Sequence, residues 1–541
     1  MRFPESFRIF IISSGITRSI SEYKDALEAR DPASNHEARS SRNMNPTHTL
    51  SVTAKMMDRS SPPLCVDLDG TLIRTDLLHE AVLLLLRRNF LYLFCLPFWL
   101  LAGKAALKHR VAQLVAIDPA GLPYNRQALA WIHEQKERGR YIVLATASNR
   151  QFADKIAAYL GCFNEVLASD SSHNLSAEAK RAVWVKRFGD KGFDYAGNSR
   201  EDLAVWKHCH RAIVVHASPR ISDAAQEMAP VTKEFPKPAT KLKTWFRAAR
   251  AHQWVKNLLV FVPLITAHRY LDVAAVKSAS LLFLAFSAAA STTYVINDLL
   301  DLTADRRHPI KSSRPFACGD LSLWQGLILA LFCLAVSAVF AAFLPLSACV
   351  ILGCYLILTL AYSIWLKQAL ILDVLVLATL YTIRIIAGGA ATNIKLSEWL
   401  ISFSLFLFLS LAICKRSSEL MALLTANKTR SAGRSYRTKD LEPLNICGIS
   451  SGMVACLLIL LYGSSQQATS LYASPRVLYL LCPILFYWIS RLWILTFRGV
   501  LKEDPILFAV RDRTSYMVVI AVIVVVMFAA FVQTPLNRFL Q

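Results

Sequence analysis

Long apolar runs with few polar interruptions fill the chain from about residue 254 to its end, whereas the first half shows only short ones. A bilayer-crossing helix needs roughly 20 mostly apolar residues, and about nine stretches approach that length: 254–268, 278–297, 321–343, 346–366, 369–390, 399–414, 445–463, 476–497 and 515–533. A soluble α-helical protein with a buried core has no need of so many. The second half therefore reads as an all-α, polytopic membrane domain.

The pattern before Pro238 is different. Residues 1–60 mix Ser, Arg, Asn and Glu with little periodicity, and FRIFIISSGI is too short to span. They read as a disordered extension, or as residues upstream of a later start at Met44, Met56 or Met57. From Pro63 short apolar strands alternate with helical segments. LCVDLDG, YIVLATAS (141–148), FDYAGNS (193–199) and RAIVVHAS (211–218) are the strands, and 126–139 and 150–160 are helices. That alternation predicts a parallel α/β sheet with its ligand site at the strand carboxyl ends. NFLYLFCLPFWLLAG (89–103) is apolar but short, bracketed by Arg87, Arg88 and Lys104. It is either a buried cap helix or an interfacial anchor. The Pro- and Lys-containing stretch 231–241 reads as a linker.

Charge adds an orientation. The net charge is +22. Arg306, Arg307, Lys311 and Arg314 follow the second stretch, and Lys367 follows the fourth. Lys415, Arg416, Lys428, Arg430, Arg434, Arg437 and Lys439 follow the sixth, and Arg498, Lys502, Arg511 and Arg513 the eighth. The alternate loops hold little beyond Arg269, Lys395 and Arg476. By the positive-inside rule the charged loops and the N-terminal domain face the cytoplasm, in an inner (cytoplasmic) membrane. No basic helix or aromatic-basic surface accompanies the charge, which argues against nucleic acid as a partner. The twelve cysteines are scattered without a Cys-x-x-Cys pair, so neither a disulfide framework nor a thiolate metal site is expected.

Candidate chemistry begins where the second stretch ends, in NDLLDLTADRRHPIKSSRP (297–315). In a continuing helix, Asn297, Asp301 and Asp305 are four apart and share a face, and Asp298, three before Asp301, joins them. Carboxylates gathered this way repel unless a cation holds them. Oxygen ligands suit magnesium, which also bridges substrate phosphates. Lys311 and Arg314 follow as phosphate partners; a solvated, salt-bridged loop is the bland alternative. A second constellation lies in an otherwise apolar helix: Asp373, with Tyr381 and Arg384 eight and eleven residues on, expected on one face. Ionisable groups inside a span usually face a cavity or a partner, and here the alternative is a structural Asp373–Arg384 pair.

Taken together, NDxxDxxxD closing one span and an acid opening a later one resemble the UbiA superfamily of intramembrane prenyltransferases, over about 241–541. Within it, RAHQWVKN (250–257), 297–315, 362–389 and DPILFAVRDR (504–513) are more similar to the decaprenyl-phosphate phosphoribosyltransferase branch. Aromatic prenyltransferases commonly repeat acids four apart in their second motif; position 377 here is Leu, leaving Asp373 alone. The resemblance implies transfer of 5-phosphoribose from phosphoribosyl diphosphate to a polyprenyl phosphate, with magnesium on Asn297, Asp298, Asp301 and Asp305. Lys256, Lys311, Arg314 and Lys367 would bind phosphates, Asp373 a second metal or the sugar, and Tyr381 and Arg384 the acceptor. The alternative is transfer from a polyprenyl diphosphate to an aromatic acceptor.

In the first half, VDLDGT puts Asp67 and Asp69 two apart at a strand's carboxyl end, one able to attack phosphorus and the other to protonate a leaving oxygen. With Thr146, Lys180 and GNSREDL (197–203), this resembles the haloacid dehalogenase (HAD) superfamily of phosphatases over about 63–220. That resemblance implies a magnesium held by Asp67, Asp69 and Asp202, and it departs at Asn198, where an acid is usual. The expected chain is multidomain: extension 1–60, HAD-like Rossmann-type hydrolase 61–230, linker 231–241 and UbiA-type transmembrane transferase 242–541.

Overall fold

The computed structural model describes residues 61–170, 175, 177–429, 434–501 and 504–532. The extension expected over 1–60, and the loop cations Arg430 and Lys502, lie outside the described residues.

Six parallel strands form the sheet of the first domain: β1 (Leu64–Val66), β2 (Ile142–Asn149), β3 (Glu165–Ser169), β4 (Asp194–Gly197), β5 (Ala212–Val215) and β6 (Val231–Phe235), in the order β3-β2-β1-β4-β5-β6. The four strands expected from sequence are the central ones, buried on both faces. The two edges lacked that signal. β6 corrects the linker reading: VTKEF buries Phe235, half-buries Val231 and exposes Thr232, Lys233 and Glu234, so it looks polar while pairing β5. The linker shortens to 236–241. The chain leaves β1 to opposite sides through β2 and β4, the switch point at which open α/β sheets bind ligands.

Among the described residues, eight helices of the second domain are long and apolar enough to cross a membrane. They are Val273–Leu300, Leu323–Ala341, Leu346–Ile364, Leu372–Thr392 and Glu398–Thr425, followed by Thr438–Gly463, Pro475–Phe497 and Arg513–Phe531. The protein is an integral membrane protein. The first of the nine apolar stretches, 254–268, takes another form, a 3-10 helix (Ala251–Phe261) running into a short α-helix (Val262–Thr266). At about 2.0 Å per 3-10 residue and 1.5 Å per α residue, the pair rises roughly 30 Å, close to a bilayer core. Irregular backbone at that depth is tolerated where protein covers it, and Lys256, Asn257 and Val260 are indeed buried. Gly388 lets this segment lie against the helix Leu372–Thr392: a Cβ there would meet the Val260 carbonyl oxygen at 2.2 Å.

The two domains meet through the helix Leu77–Arg88. Leu83 packs on the cluster formed by Val295, Leu299, Leu302 and Phe316. Beside it Arg306 donates two hydrogen bonds to Glu80, at 2.8 and 2.6 Å, with both side chains buried. Rim contacts are Arg307 with Asp118 (2.5 Å) and Trp324 with His79 (2.9 Å).

Gly388→Ala should cost about 1–3 kcal/mol by overpacking against an immovable carbonyl. Thermal unfolding in detergent would show the loss, while Gly353→Ala, with open space around it, should leave the transition unchanged.

Candidate functional site

In the first domain β1 delivers Asp67 and Asp69 to the switch point. Lys180 donates to Asp67 at 2.5 Å, and Thr71 reaches its other oxygen at 3.4 Å. Asp69 accepts from Ser148 (2.6 Å), Thr146 (3.3 Å) and the Leu77 amide (2.9 Å). The last of these is the first turn of the helix that docks on the membrane domain. Asp202 stands behind Asp67: its Oδ1 accepts from Tyr195 (2.8 Å), and its Oδ2 from the amides of Asn198 and Ser199 and the Ser199 hydroxyl, each at 2.9 Å. Gly70, at φ +76°, is needed because Asn198 lies over it; a Cβ there would meet its amide nitrogen at 2.1 Å. Burial pushes Asp67 up to about 7, with Asp202 and Asp69 adding to it against the pull of Lys180. Burial likewise raises Asp69 to about 6. Such a carboxyl keeps a proton to donate near neutral pH. Burial opposes the Lys180 charge, yet the three acids hold it above its ordinary range.

At the membrane domain's Asp-rich loop the four polar positions separate. Asp298, near the end of one helix, and Asp305, in the next, meet across Arg314, whose nitrogen lies 3.0 and 2.5 Å from their oxygens. Arg250 also binds Asp298 through both carboxylate oxygens. Asp301 sits where one helix gives way to the next (φ −94°, ψ 12°). It pairs instead with Lys367 at 3.0 Å and, from the first domain, Arg87 at 3.6 Å. Asn297 is half-buried, and Lys311 is exposed.

Asp373, Tyr381 and Arg384 do not form the expected cluster. Eleven residues of helix rise about 16 Å, so a shared face does not bring the ends into contact. Fully buried Asp373 accepts from Arg416 (2.6 Å) and Tyr436 (2.5 Å). Arg384 donates to Asn257 (2.8 Å) and Tyr355 (3.0 Å). Tyr381 joins a separate buried group in which Lys256 (2.8 Å), Lys415 (2.9 Å) and the Tyr381 hydroxyl (3.4 Å) all reach Asp504 Oδ2. Despite burial, the two lysines hold the Asp504 carboxyl far below the usual range.

RAHQWVKN ties these groups together. Arg250 binds Asp298, Trp254 donates to Ser291 at 2.9 Å and Asn257 to Ser287 at 3.1 Å, all along the helix Val273–Leu300. Its other side carries Lys256 to Asp504 and the Asn257 carbonyl to Arg384. Sequence reasoning assigned no role to Arg250, Lys415, Arg416, Tyr436, Asp504, Ser148 or Lys108. Lys415 and Arg416 belong to the interior of the helix Glu398–Thr425 rather than a loop; adjacent cations before that helix's end were the available signal.

Among the described residues no three His, Cys, Asp or Glu side chains gather as a metal-ligand set. A magnesium ion nevertheless suits the donors present. Asp298 and Asp305 turn oxygens toward one point that already holds a cationic nitrogen, and magnesium typically takes one or two carboxylates plus phosphate and water. In the first domain, the surplus of acids around Asp67 is likewise a match for a divalent cation.

In metal-free protein, the proton held by Asp67 stabilises the fold below about pH 4, and that contribution is lost as pH rises toward about 7. Asp67→Asn should therefore raise the melting temperature in EDTA at pH 7.5 and have little effect at pH 4; equal shifts at both would contradict it.

Residues 259–498 match the UbiA prenyltransferase family, and residues 64–207 match haloacid dehalogenase-like hydrolases. The protein y4nM of Sinorhizobium fredii is 36% identical over 465 residues, covering 85% of this chain and 89% of its own length. Nodulation protein NoeC of Azorhizobium caulinodans is 34% identical over 280 residues, 51% of this chain and 90% of NoeC. Decaprenyl-phosphate phosphoribosyltransferase of Mycobacterium tuberculosis is 35% identical over 210 residues, 38% of this chain and 70% of that enzyme. With a haloacid dehalogenase-like domain ahead of its membrane half, the chain belongs to the UbiA prenyltransferase family.

Proposed function

We propose that the membrane half transfers 5-phosphoribose from phosphoribosyl diphosphate to a polyprenyl phosphate, and that the hydrolase half removes the 5-phosphate from the product. The observation that carries this reading is the pair of charge clusters joined by RAHQWVKN. One (Asp298, Asp305, Arg250, Arg314) suits a metal-bound diphosphate. The other (Lys256, Lys415 and Tyr381 around Asp504) suits a second phosphate. A reaction between a sugar diphosphate and a lipid phosphate needs two such places. The likeness to the Mycobacterium tuberculosis enzyme supports the same donor and acceptor.

In the transfer, an acceptor phosphate oxygen forms the new bond to the ribose C1 as the C1–O bond to diphosphate breaks, its electron pair leaving with diphosphate. The acceptor is already an anion, so no base is required. Asp298 and Asp305, with Asn297 beside them, would hold magnesium, whose charge stabilises the departing diphosphate. Arg314 and Arg250 are free to turn from carboxylate to phosphate oxygen, since both are good bidentate partners. Asp301, pinned by Lys367, supports the turn, and exposed Lys311 stands at its entrance.

In the hydrolase site Asp67 attacks phosphorus, Lys180 balances its charge, and Asp69 protonates the leaving sugar oxygen. Water then cleaves the aspartyl phosphate, with Asp69 taking its proton. Asp67 and Asp69, with Asp202 behind them, would hold the magnesium that this site uses. The cationic loops gather on the side where the hydrolase docks, which supports a cytoplasmic active site in an inner membrane.

Membranes supplied with labelled phosphoribosyl diphosphate and decaprenyl phosphate should form a ribosylated lipid, about 100-fold less in Asp298→Asn. Asp67→Asn should leave the product phosphorylated. Consumption of a polyprenyl diphosphate with 4-hydroxybenzoate, and none of phosphoribosyl diphosphate, would select the aromatic prenyltransferase instead.

A further inference from the structure

The short apolar segment bracketed by arginines and a lysine forms the helix Tyr92–Leu101, and none of its residues is buried. Phe94, Phe98 and Leu101 are 65%, 71% and 85% exposed. Ten residues rise about 15 Å, half of what a crossing requires. Its starting level is fixed by its neighbour: Leu83 and Leu84 line a crevice with Leu299 and Leu300 at the end of the span Val273–Leu300, and Arg87 reaches Asp301 just beyond it. The chain thus leaves Arg88 at the height of a span's end and there exposes a wholly apolar helix. Arg87, Arg88 and Lys104 flank it, a pattern suited to anionic headgroups.

The next helix, Lys104–Leu114, rests on this one, with Arg110 over the Trp99 ring at 5.9 Å. It carries Lys108, whose ammonium donates at 2.7 Å to the carbonyl of Ala147, between the two residues whose hydroxyls hold Asp69. One element therefore touches both the exposed apolar helix and the rim of the hydrolase site. We propose that the helix Tyr92–Leu101 lies in the lipid surface beside the transferase, and that the hydrolase site takes phosphate monoesters carried on a lipid. This rests on reading the first domain as a phosphatase. The occupant of the apolar face is the bilayer that already holds the neighbouring span.

The test uses the full chain in lipid nanodiscs, with p-nitrophenyl phosphate as a soluble ester and the lipid formed from phosphoribosyl diphosphate and decaprenyl phosphate as the membrane-borne one. In the triple variant Phe94→Ser, Phe98→Ser, Leu101→Ser, hydrolysis of the lipid ester should fall about tenfold while that of the soluble ester stays within about twofold. Brominated lipids should quench a fluorophore placed at Cys95. Equal loss on both esters, or no loss on either, overturns the proposal. So does wild-type protein that cleaves only the soluble ester, or cross-linking of two copies through Cys95. Wild-type protein inactive on both esters would instead remove the phosphatase reading on which the proposal stands.

Discussion

A charge removed from water must find an opposite charge, and in a helical membrane protein this requirement decides which helices meet. Asp298 and Asp305 are held by Arg250 and Arg314, Asp373 by Arg416, Asp504 by Lys256 and Lys415, and Glu80 by Arg306. Most of these partners are remote in sequence; Lys256 and Asp504 are 248 residues apart. Apolar helices alone pack in several registers, because lipid is as apolar as leucine. The ion pairs select one. They also leave the site's charges balanced, so that in the proposed reaction a phosphate would compete with carboxylates for cations already in position rather than organise them.

Much of this was legible in the sequence where burial is two-sided. β1, β2, β4 and β5 are buried along nearly their whole length, and the spans announce themselves by length. β3 and β6 are edge strands that pair on one side only: β3 is half-buried along most of its length, and β6 exposes Thr232, Lys233 and Glu234, so it read as linker. Within the membrane half, periodicity identified faces but not depths. Asp373 and Arg384 share a face three turns apart, and each found a nearer partner on another helix. Asp301 shows the opposite limit: close in sequence to Asp298, it is turned away by the helix break at its own position. Asp504 and Arg250 sat inside recognised segments but carried no local signal of their role, since that role exists only through residues far along the chain.

The 3-10 segment Ala251–Phe261 explains why an apolar stretch can carry Arg250, Lys256 and Asn257. Each turn offers polar groups to a different neighbour, and every one is answered: Asp298, Asp504, Ser287 and Arg384. A regular α-helix would present those side chains at other angles. The backbone form, the Gly388 contact and the ion pairs are thus parts of one fit.

The buried Glu80–Arg306 clamp carries a kinetic consequence. Two enzymes free in a membrane exchange an intermediate by diffusion, and its level then depends on how much of each is made. On the proposed pathway, a hydrolase site tied to the membrane domain by a desolvated ion pair would meet each released molecule at an effective concentration set by geometry. The intermediate's lifetime would then be a property of one chain, insensitive to expression level.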